Sequence, residues 1–285
     1  PGPSLDARDD RRTLRSGTLV FVAHVADNWE LFALRADDTA PQRLTTTPLD
    51  ERAPALSPDG SRVAYATSDG ALWVRELAAG EAVRLELPAG IYGYPAWLPD
   101  GSGIVYTSYE YDPPHEDADL FVYDFATRRA KLFLLQTGPQ DYAALSPAGD
   151  RVAYMSSLAT ALPGFGSTVT QQLWMVALQT GTPSLLLGDA RSTTPAWSKD
   201  GATLAFSSDR SGPTEIWLLH VESKALTQLT SGAGAKRSPA WSPDGSEIAY
   251  VSTASGRAEL EIVEVKTRRV RHLPLGLDVR DPDWR

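Results

Sequence analysis

Pro239-Ala-Trp-Ser-Pro-Asp-Gly-Ser-Glu-Ile-Ala-Tyr250 returns along the chain in recognisable copies. Pro195-Ala-Trp-Ser-Lys-Asp-Gly-Ala-Thr-Leu-Ala-Phe206 is the clearest of them. Pro95-Ala-Trp-Leu-Pro-Asp-Gly101, Pro54-Ala-Leu-Ser-Pro-Asp-Gly60 and Ala143-Ala-Leu-Ser-Pro-Ala-Gly149 are weaker. Their glycines, Gly60, Gly101, Gly149, Gly201 and Gly245, are 41, 48, 52 and 44 residues apart. A period of this length means an array of small structural units, none of which can bury its apolar face alone.

Each copy has a local physical meaning. Ser-Pro-Asp-Gly suits a type I turn, with Ser first, Pro fixing φ at the second position and Gly last. A left-handed Gly then closes a three-residue hairpin with a bulge. The flanking apolar residues alternate, as Ile248 and Tyr250 do against Glu247 and Ala249, which is the period of a half-buried strand. Two more strands complete a unit; in the fifth copy they are Glu215–Val221 and Ala225–Thr230. Four short antiparallel strands every 40 to 50 residues make one blade of a β-propeller.

The 285 residues allow one or two domains by length. Six repeats use nearly all of them, so one domain over 17–285 is expected. Residues 1–16 are charged, lack periodicity and are expected to be a leader or linker. Thr18–Ala23 matches the second strand of the repeat, so the first blade lacks its innermost strand at the N-terminus. Asp278–Trp284 supplies it: Trp284 follows Trp241 by 43 residues, in register. The C-terminal strand should therefore pair with Leu19–Val22 and close a ring, which removes the free strand edges of an open array. Innermost strands are expected at 53–57, 94–98, 142–146, 194–198, 238–242 and 280–284. The fold class is all-β, a six-bladed propeller of four-stranded blades.

Composition narrows the function. A net charge of −9 argues against nucleic acid as the partner. No run of 18 apolar residues is present, so no membrane insertion is expected. Zero cysteines exclude disulfides, thiolate metal sites and cysteine catalysis. No secretory signal is visible at Pro1-Gly-Pro-Ser-Leu-Asp.

The pattern Pro-x-Trp-Ser-x-Asp-Gly-x-x-(Ile/Leu)-Ala-(Phe/Tyr), followed by an Ile-Trp strand and Leu-Thr, resembles the WD-like repeat of TolB-type propellers. The resemblance covers residues 17–285 and is most specific in the fifth and sixth repeats. Repeat four departs from it, with Ala148 for the turn Asp and Ala143 for the Pro. It implies the propeller domain alone, without TolB's preceding α/β domain or the Tol system's own role, and a bacterial, exported (periplasmic) location.

Most recurring polar residues have a structural explanation. Asp59, Asp100, Asp200 and Asp244 occupy identical turns, where a carboxylate bonds nearby amides. Trp97, Trp197, Trp241 and Trp284 are wedges between blades. His24, His115, His220 and His272 have no metal-ligand spacing, whereas lyases on TolB-like folds need a histidine cluster over the channel. There is no Gly-x-Ser-x-Gly elbow, and Gly232–Arg237 joins strands rather than opening a helix, so it is no phosphate loop. No catalytic residue, metal or cofactor is assigned.

Two long connections, Tyr109–Asp119 in blade three and Ser156–Thr168 in blade four, emerge side by side, and long loops on rigid scaffolds concentrate binding residues. Glu110, Asp112, Glu116, Asp117 and Asp119 offer oxygen ligands to Ca²⁺ but no recognised spacing, which favours a solvated acidic loop. On the same face, two residues before the repeat's Pro position, stand Arg52, Gly93, Asp141, Thr193, Arg237 and Arg280, with Tyr94 and Tyr142 one residue on. Arg52, Tyr94, Asp141, Tyr142, Arg237 and Arg280 are the candidate ligand-binding residues, an arginine arc facing aromatics at a channel mouth. The alternative is that these arginines pair with Glu51 and Asp281. The chain is accordingly expected to be a monomeric, non-catalytic binding or scaffold module for a protein partner or a small anionic ligand. The rival is a channel-mouth lyase or hydrolase acting on an acidic or sugar substrate.

Overall fold

The computed structural model describes residues 14, 16–36, 38–109, 118–134, 136, 138–162, 166–188 and 191–285. Among them there is no helix. Six four-stranded antiparallel sheets stand around an axis. Blade one comprises β1 (Thr18–Val25), β2 (Asn28–Arg35) and β3 (Gln42–Arg43), with its inner strand supplied from the C-terminus. Blade two is β4 (Glu51–Leu56), β5 (Arg62–Thr67), β6 (Leu72–Glu76) and β7 (Ala82–Arg84). Blade three is β8 (Ile91–Trp97), β9 (Gly103–Tyr109), β10 (Ala118–Asp124) and β11 (Arg129–Leu134). Blade four is β12 (Gln140–Leu145), β13 (Arg151–Leu162), β14 (Gly166–Ala177) and β15 (Pro183–Leu187). Blade five is β16 (Ser192–Trp197), β17 (Thr203–Ser208), β18 (Glu215–His220) and β19 (Leu226–Gln228). Blade six is β20 (Lys236–Trp241), β21 (Glu247–Ser252), β22 (Glu259–Glu264) and β23 (Val270–Leu273), and the closing strand is β24 (Asp278–Trp284).

The expected closure is present. β24 pairs antiparallel with β1, Leu19 facing Trp284 and Ala23 facing Val279. The core is divided into six apolar clusters, one at each junction between neighbouring blades. The tryptophans do more than wedge. Trp97, Trp197 and Trp241 each donate the indole N–H to a carbonyl of the preceding blade's inner strand, on Ala55 (2.8 Å), Ala144 (2.9 Å) and Ala196 (3.1 Å). Trp284 donates instead to Ser16 O (2.9 Å), and Leu14 is buried in the cluster between blades six and one. The propeller's contacts therefore begin three residues before Gly17, at Leu14; residues 1–13 and 15 of the expected leader lie outside the described residues.

The turn chemistry is as the repeat demands. Gly60, Gly101, Gly149, Gly201 and Gly245 all have φ between 68° and 76°. In four turns the aspartate accepts from the backbone N–H two residues on, at 3.0–3.1 Å. In the fourth repeat, where Ala148 stands, the Ser146 hydroxyl donates to Asp150 at 2.7 Å. Position is exchanged and the chemistry is kept.

Two expectations need correction. The inner strands start two to three residues earlier than expected, because pairing continues through a β-bulge: β4, for example, resumes beyond its bulge with Arg52 opposite Ala66 and Glu51 opposite Thr67. Ser156–Thr168 is not a loop. β13 and β14 stay paired out to Leu162 and Gly166, in keeping with the β-branched and apolar residues Leu158, Thr160, Thr168 and Val169 along that stretch.

Candidate functional site

The bulge in each inner strand defines the site. It carries one non-glycine residue at positive φ: Asp281 (51°), Ala53 (47°), Tyr94 (48°), Tyr142 (54°), Thr194 (52°) and Ser238 (53°), in order around the ring. Left-handed backbone is costly for residues with a side chain and persists where the surroundings enforce it. All six line an axial channel of about 410 Å³. The residue that follows is Pro in five blades (Pro282, Pro54, Pro95, Pro195 and Pro239) and Ala143 in blade four. A proline has no N–H to leave unpaired at a channel wall. Two of the ring's own N–H groups are satisfied by side chains: Ala53 donates to Asp281 Oδ2 (3.4 Å) and Ser238 to Ser207 Oγ (3.1 Å).

Of the sequence candidates, Tyr94 and Tyr142 line the channel, while Arg52, Asp141 and Arg280 act on Tyr94 from beside it. The Tyr94 and Tyr142 rings lie 4.0 Å apart between centroids, tilted by 38°. Tyr109 Oη donates to Asp141 Oδ1 at 2.5 Å. Burial pushes the Asp141 carboxyl above its ordinary range, while hydrogen bonds from Tyr109 and Thr107 pull it back. Burial also raises Asp281; Arg280, the Ala53 amide and Arg52 oppose it. Tyr94, Tyr109 and Tyr142 are all raised, first by burial and then by the Asp141 or Asp281 charge or each other. They are neutral phenols at any ordinary pH.

The arginines behave differently from one another. Arg280 is half-buried with its guanidinium 3.8 Å from the Trp29 ring centroid, a cation–π contact. Its Nη2 lies 3.5 Å from the Glu51 carbonyl oxygen, and burial lowers its affinity for the proton. Arg52 is 54% exposed and reaches Asp50 only at 3.9 Å; its charge acts on Arg280, Tyr94 and Asp281. Arg237 is exposed and pairs with no described acid. None of the three is buried in an acid pair through its guanidinium.

Sequence reasoning did not single out Tyr109, Trp29 or Thr107 for the site, and treated Asp281 only as a partner for arginine. Asp281 was detectable, since it occupies the repeat position of Tyr94 and Tyr142. Trp29 comes from β2 and carries no repeat signal. The acidic residues Glu110, Asp112, Glu116 and Asp117 lie outside the described residues. Asp119 is at the start of β10. Among the described residues no three His, Cys, Asp or Glu side chains gather as a metal site would need. His24 is exposed against Trp29, His220 contacts Ser223, and His272 lies 3.7 Å from Glu259.

Six antiparallel blades, a bulged inner ring and a polar, aromatic upper mouth define a six-bladed β-propeller with an open channel. Among such propellers its fold is similar to that of the TolB type. Residues 143–278 match the model of the TolB β-propeller domain. The structure superposes on TolB from Acinetobacter baumannii with a TM-score of 0.80 and 21% identity, covering 94% of this chain and 66% of that one. A TolB candidate from Agrobacterium tumefaciens gives a TM-score of 0.72 and 17% identity, covering 90% and 88%. In sequence, 96 residues are 36% identical to the uncharacterized peptidase YuxL of Bacillus subtilis (strain 168), which is 33% of this chain and 14% of that protein. The chain thus matches a small part of that relative and about two thirds of TolB.

Proposed function

We propose that this chain is a non-catalytic binding or scaffold propeller. It engages a protein partner or a small anionic ligand through the face that carries the upper mouth and the long blade-four hairpin. One observation carries the reading: Arg52 and Arg280, on neighbouring blades, act electrostatically on Tyr94 beside the channel that Tyr94 and Tyr142 line, in a protein whose net charge is −9. A local field opposite in sign to the global one draws carboxylates or phosphates to that mouth. Hydrogen-bond donors on rigid strands hold them at little ordering cost.

Titration calorimetry with citrate, inorganic phosphate and acidic peptides tests it. Binding should weaken as salt rises, and Arg52→Ala or Arg280→Ala should cost about 1.5–3 kcal/mol, as for hydrogen bonds to charged groups. No binding of any of these probes, or binding indifferent to both substitutions, refutes the anionic-ligand reading. The Tyr109–Asp141 hydrogen bond favours a second reading, a mouth enzyme in which Asp141 handles a proton. Turnover of acidic sugars or peptides that Asp141→Asn abolishes would establish that reading. A monomer in an exported, bacterial setting is the arrangement proposed to go with either.

A further inference from the structure

The junction between blades one and two contains two buried carboxyls that the binding site does not use. Glu30, on β2, is 1% exposed, and Glu51, the first residue of β4, is fully buried. Thr45 Oγ1 donates to Glu51 Oε2 at 2.9 Å and Thr47 Oγ1 to Glu51 Oε1 at 2.7 Å. Thr45 Oγ1 itself accepts from the Leu31 amide at 2.9 Å. Arg43, with a side chain 36% exposed, reaches Glu30 Oε1 at 2.7 Å. Glu30 Oε2 is buried with no conventional donor. Glu30 lies close enough to the Glu51 carboxyl to strengthen that group's hold on its proton.

The propeller supplies its own control. In the repeat, Glu30, Thr45 and Glu51 correspond to Glu215, Thr230 and Lys236 at the junction of blades five and six. There Thr230 Oγ1 accepts from the Ile216 amide (2.8 Å) and donates to Glu215 (2.6 Å). The equivalent of Glu51 is the buried ammonium of Lys236, 3.4 Å from Glu215 Oε1. One junction holds acid against base; the other holds acid against acid at the same place.

We propose that Glu30 and Glu51 form a shared-proton latch between blades one and two, closed when one carboxyl donates to the other and loosened when both ionise. Two anions cannot share a dry junction around one arginine, whereas a proton on Glu51 gives Glu30 Oε2 the donor it lacks. Thr45 and Thr47 already hold both Glu51 oxygens, so the hydroxyl proton is directed at Glu30. Burial is the main cause that pushes Glu51 up to about 7, with Glu30 adding to it. The other ionisable groups around the pair do not replace that proton. Tyr65, on β5, is itself pushed up to about 12, by burial first and Glu51 second, and is neutral; Arg75, on β6, acts on Tyr65. His24 and Arg280, from β1 and β24, bond to neither carboxyl, the latter approaching only the Glu51 carbonyl.

The sign follows from linkage. A carboxyl that holds its proton more tightly in the native state stabilises it most at low pH, and the contribution fades as pH rises from 4.5 through about 7. Thermal unfolding of the wild type and Glu51→Gln from pH 5 to pH 8 tests the latch. Gln keeps one hydroxyl contact as an acceptor, reverses the other, and offers Glu30 an amide N–H at every pH. The wild-type Tm should fall by roughly 5 °C more than that of the variant across this range. Glu51→Lys, which installs the Lys236 arrangement, should also lack the extra fall. Parallel curves for wild type and Glu51→Gln overturn the proposal. Should neither variant fold, carbon-13 NMR of the wild-type glutamate carboxyls decides: one buried signal titrating near pH 7 supports the latch, and all signals titrating below pH 5.5 overturn it.

Discussion

Single residues stabilise the propeller in two ways, across the blade junctions and within the turns, and both are open to measurement. An indole N–H crosses the junction at Trp97, Trp197 and Trp241. Trp97→Phe keeps most of the apolar wedge but leaves the Ala55 carbonyl with one partner fewer. We expect a loss of about 1–2 kcal/mol, read as a Tm lower by about 2–4 °C per kcal/mol; an unchanged Tm would mean that packing alone joins the blades. The turn aspartates set the response to acid. Asp59 is lowered to about 2, first by the Ser57 hydroxyl and then by the Ser61 amide, and Asp100, Asp200 and Asp244 are lowered by the same kind of turn contacts. Their contribution is complete above the ordinary aspartate pKa of 3.8 and disappears as pH falls toward 2. Replacing all four by asparagine should flatten the fall in Tm between pH 4 and pH 2, and an unaltered acid limb would remove the turns from the account. Asp141 and Asp281 carry the opposite sign, since burial raises them. They weaken the fold as pH climbs.

At the scale of elements, what the sequence discloses depends on whether a feature repeats. The turns, the inner strands and the displaced β24 were legible because five or six copies vote on each. The inner-strand bulge was not legible: its left-handed position holds Ala53, Tyr94, Tyr142, Thr194, Ser238 and Asp281 in turn, and no residue type marks it. The blade-four hairpin escaped because it occurs once and its Pro163 and Gly164 resemble loop punctuation. The mouth was half legible for the same reason. Arg52, Arg280, Tyr94, Tyr142 and Asp141 lie on repeat positions, whereas Trp29 and Tyr109 reach it from second and third strands whose side chains no repeat fixes. The hairpin itself is an addition to the ring. Buried contacts of blade four come from Val152–Met155, Leu173 and Val176, while Leu158 and Val169 are exposed. Joining the paired residues Leu158 and Thr170 through Asn-Gly, in place of residues 159–169, should leave the Tm within about 2 °C, the range of a surface change. A large loss would make the hairpin part of the fold rather than a projection from it.

For the whole molecule, everything depends on the ring being closed, and β24 is where that happens. It hydrogen-bonds along β1, with Val279 and Trp284 buried, and it also faces blade two. Asp281 Oδ2 accepts from the Ala53 amide (3.4 Å) and Asp283 Oδ2 from the Leu56 amide (2.6 Å). One strand thus completes a blade, covers the apolar cluster against blade six and ties blade one to blade two. Deleting residues 278–285 would free the inner edge of β1 and uncover Leu19, Phe21 and Ala23, all fully buried in the intact ring. An unpaired edge with an apolar face recruits other chains, and a propeller with a gap has no second junction to resist further opening. The truncated protein should therefore elute as aggregate on size exclusion, or as a monomer whose Tm is lower by more than 10 °C, a loss well beyond that of ordinary single substitutions. Supplying the peptide of residues 276–285 in trans should restore part of the stability, since it binds the native ring and not the unfolded chain. A truncated chain that stays monomeric with an unchanged Tm would show that the ring does not depend on its closing strand.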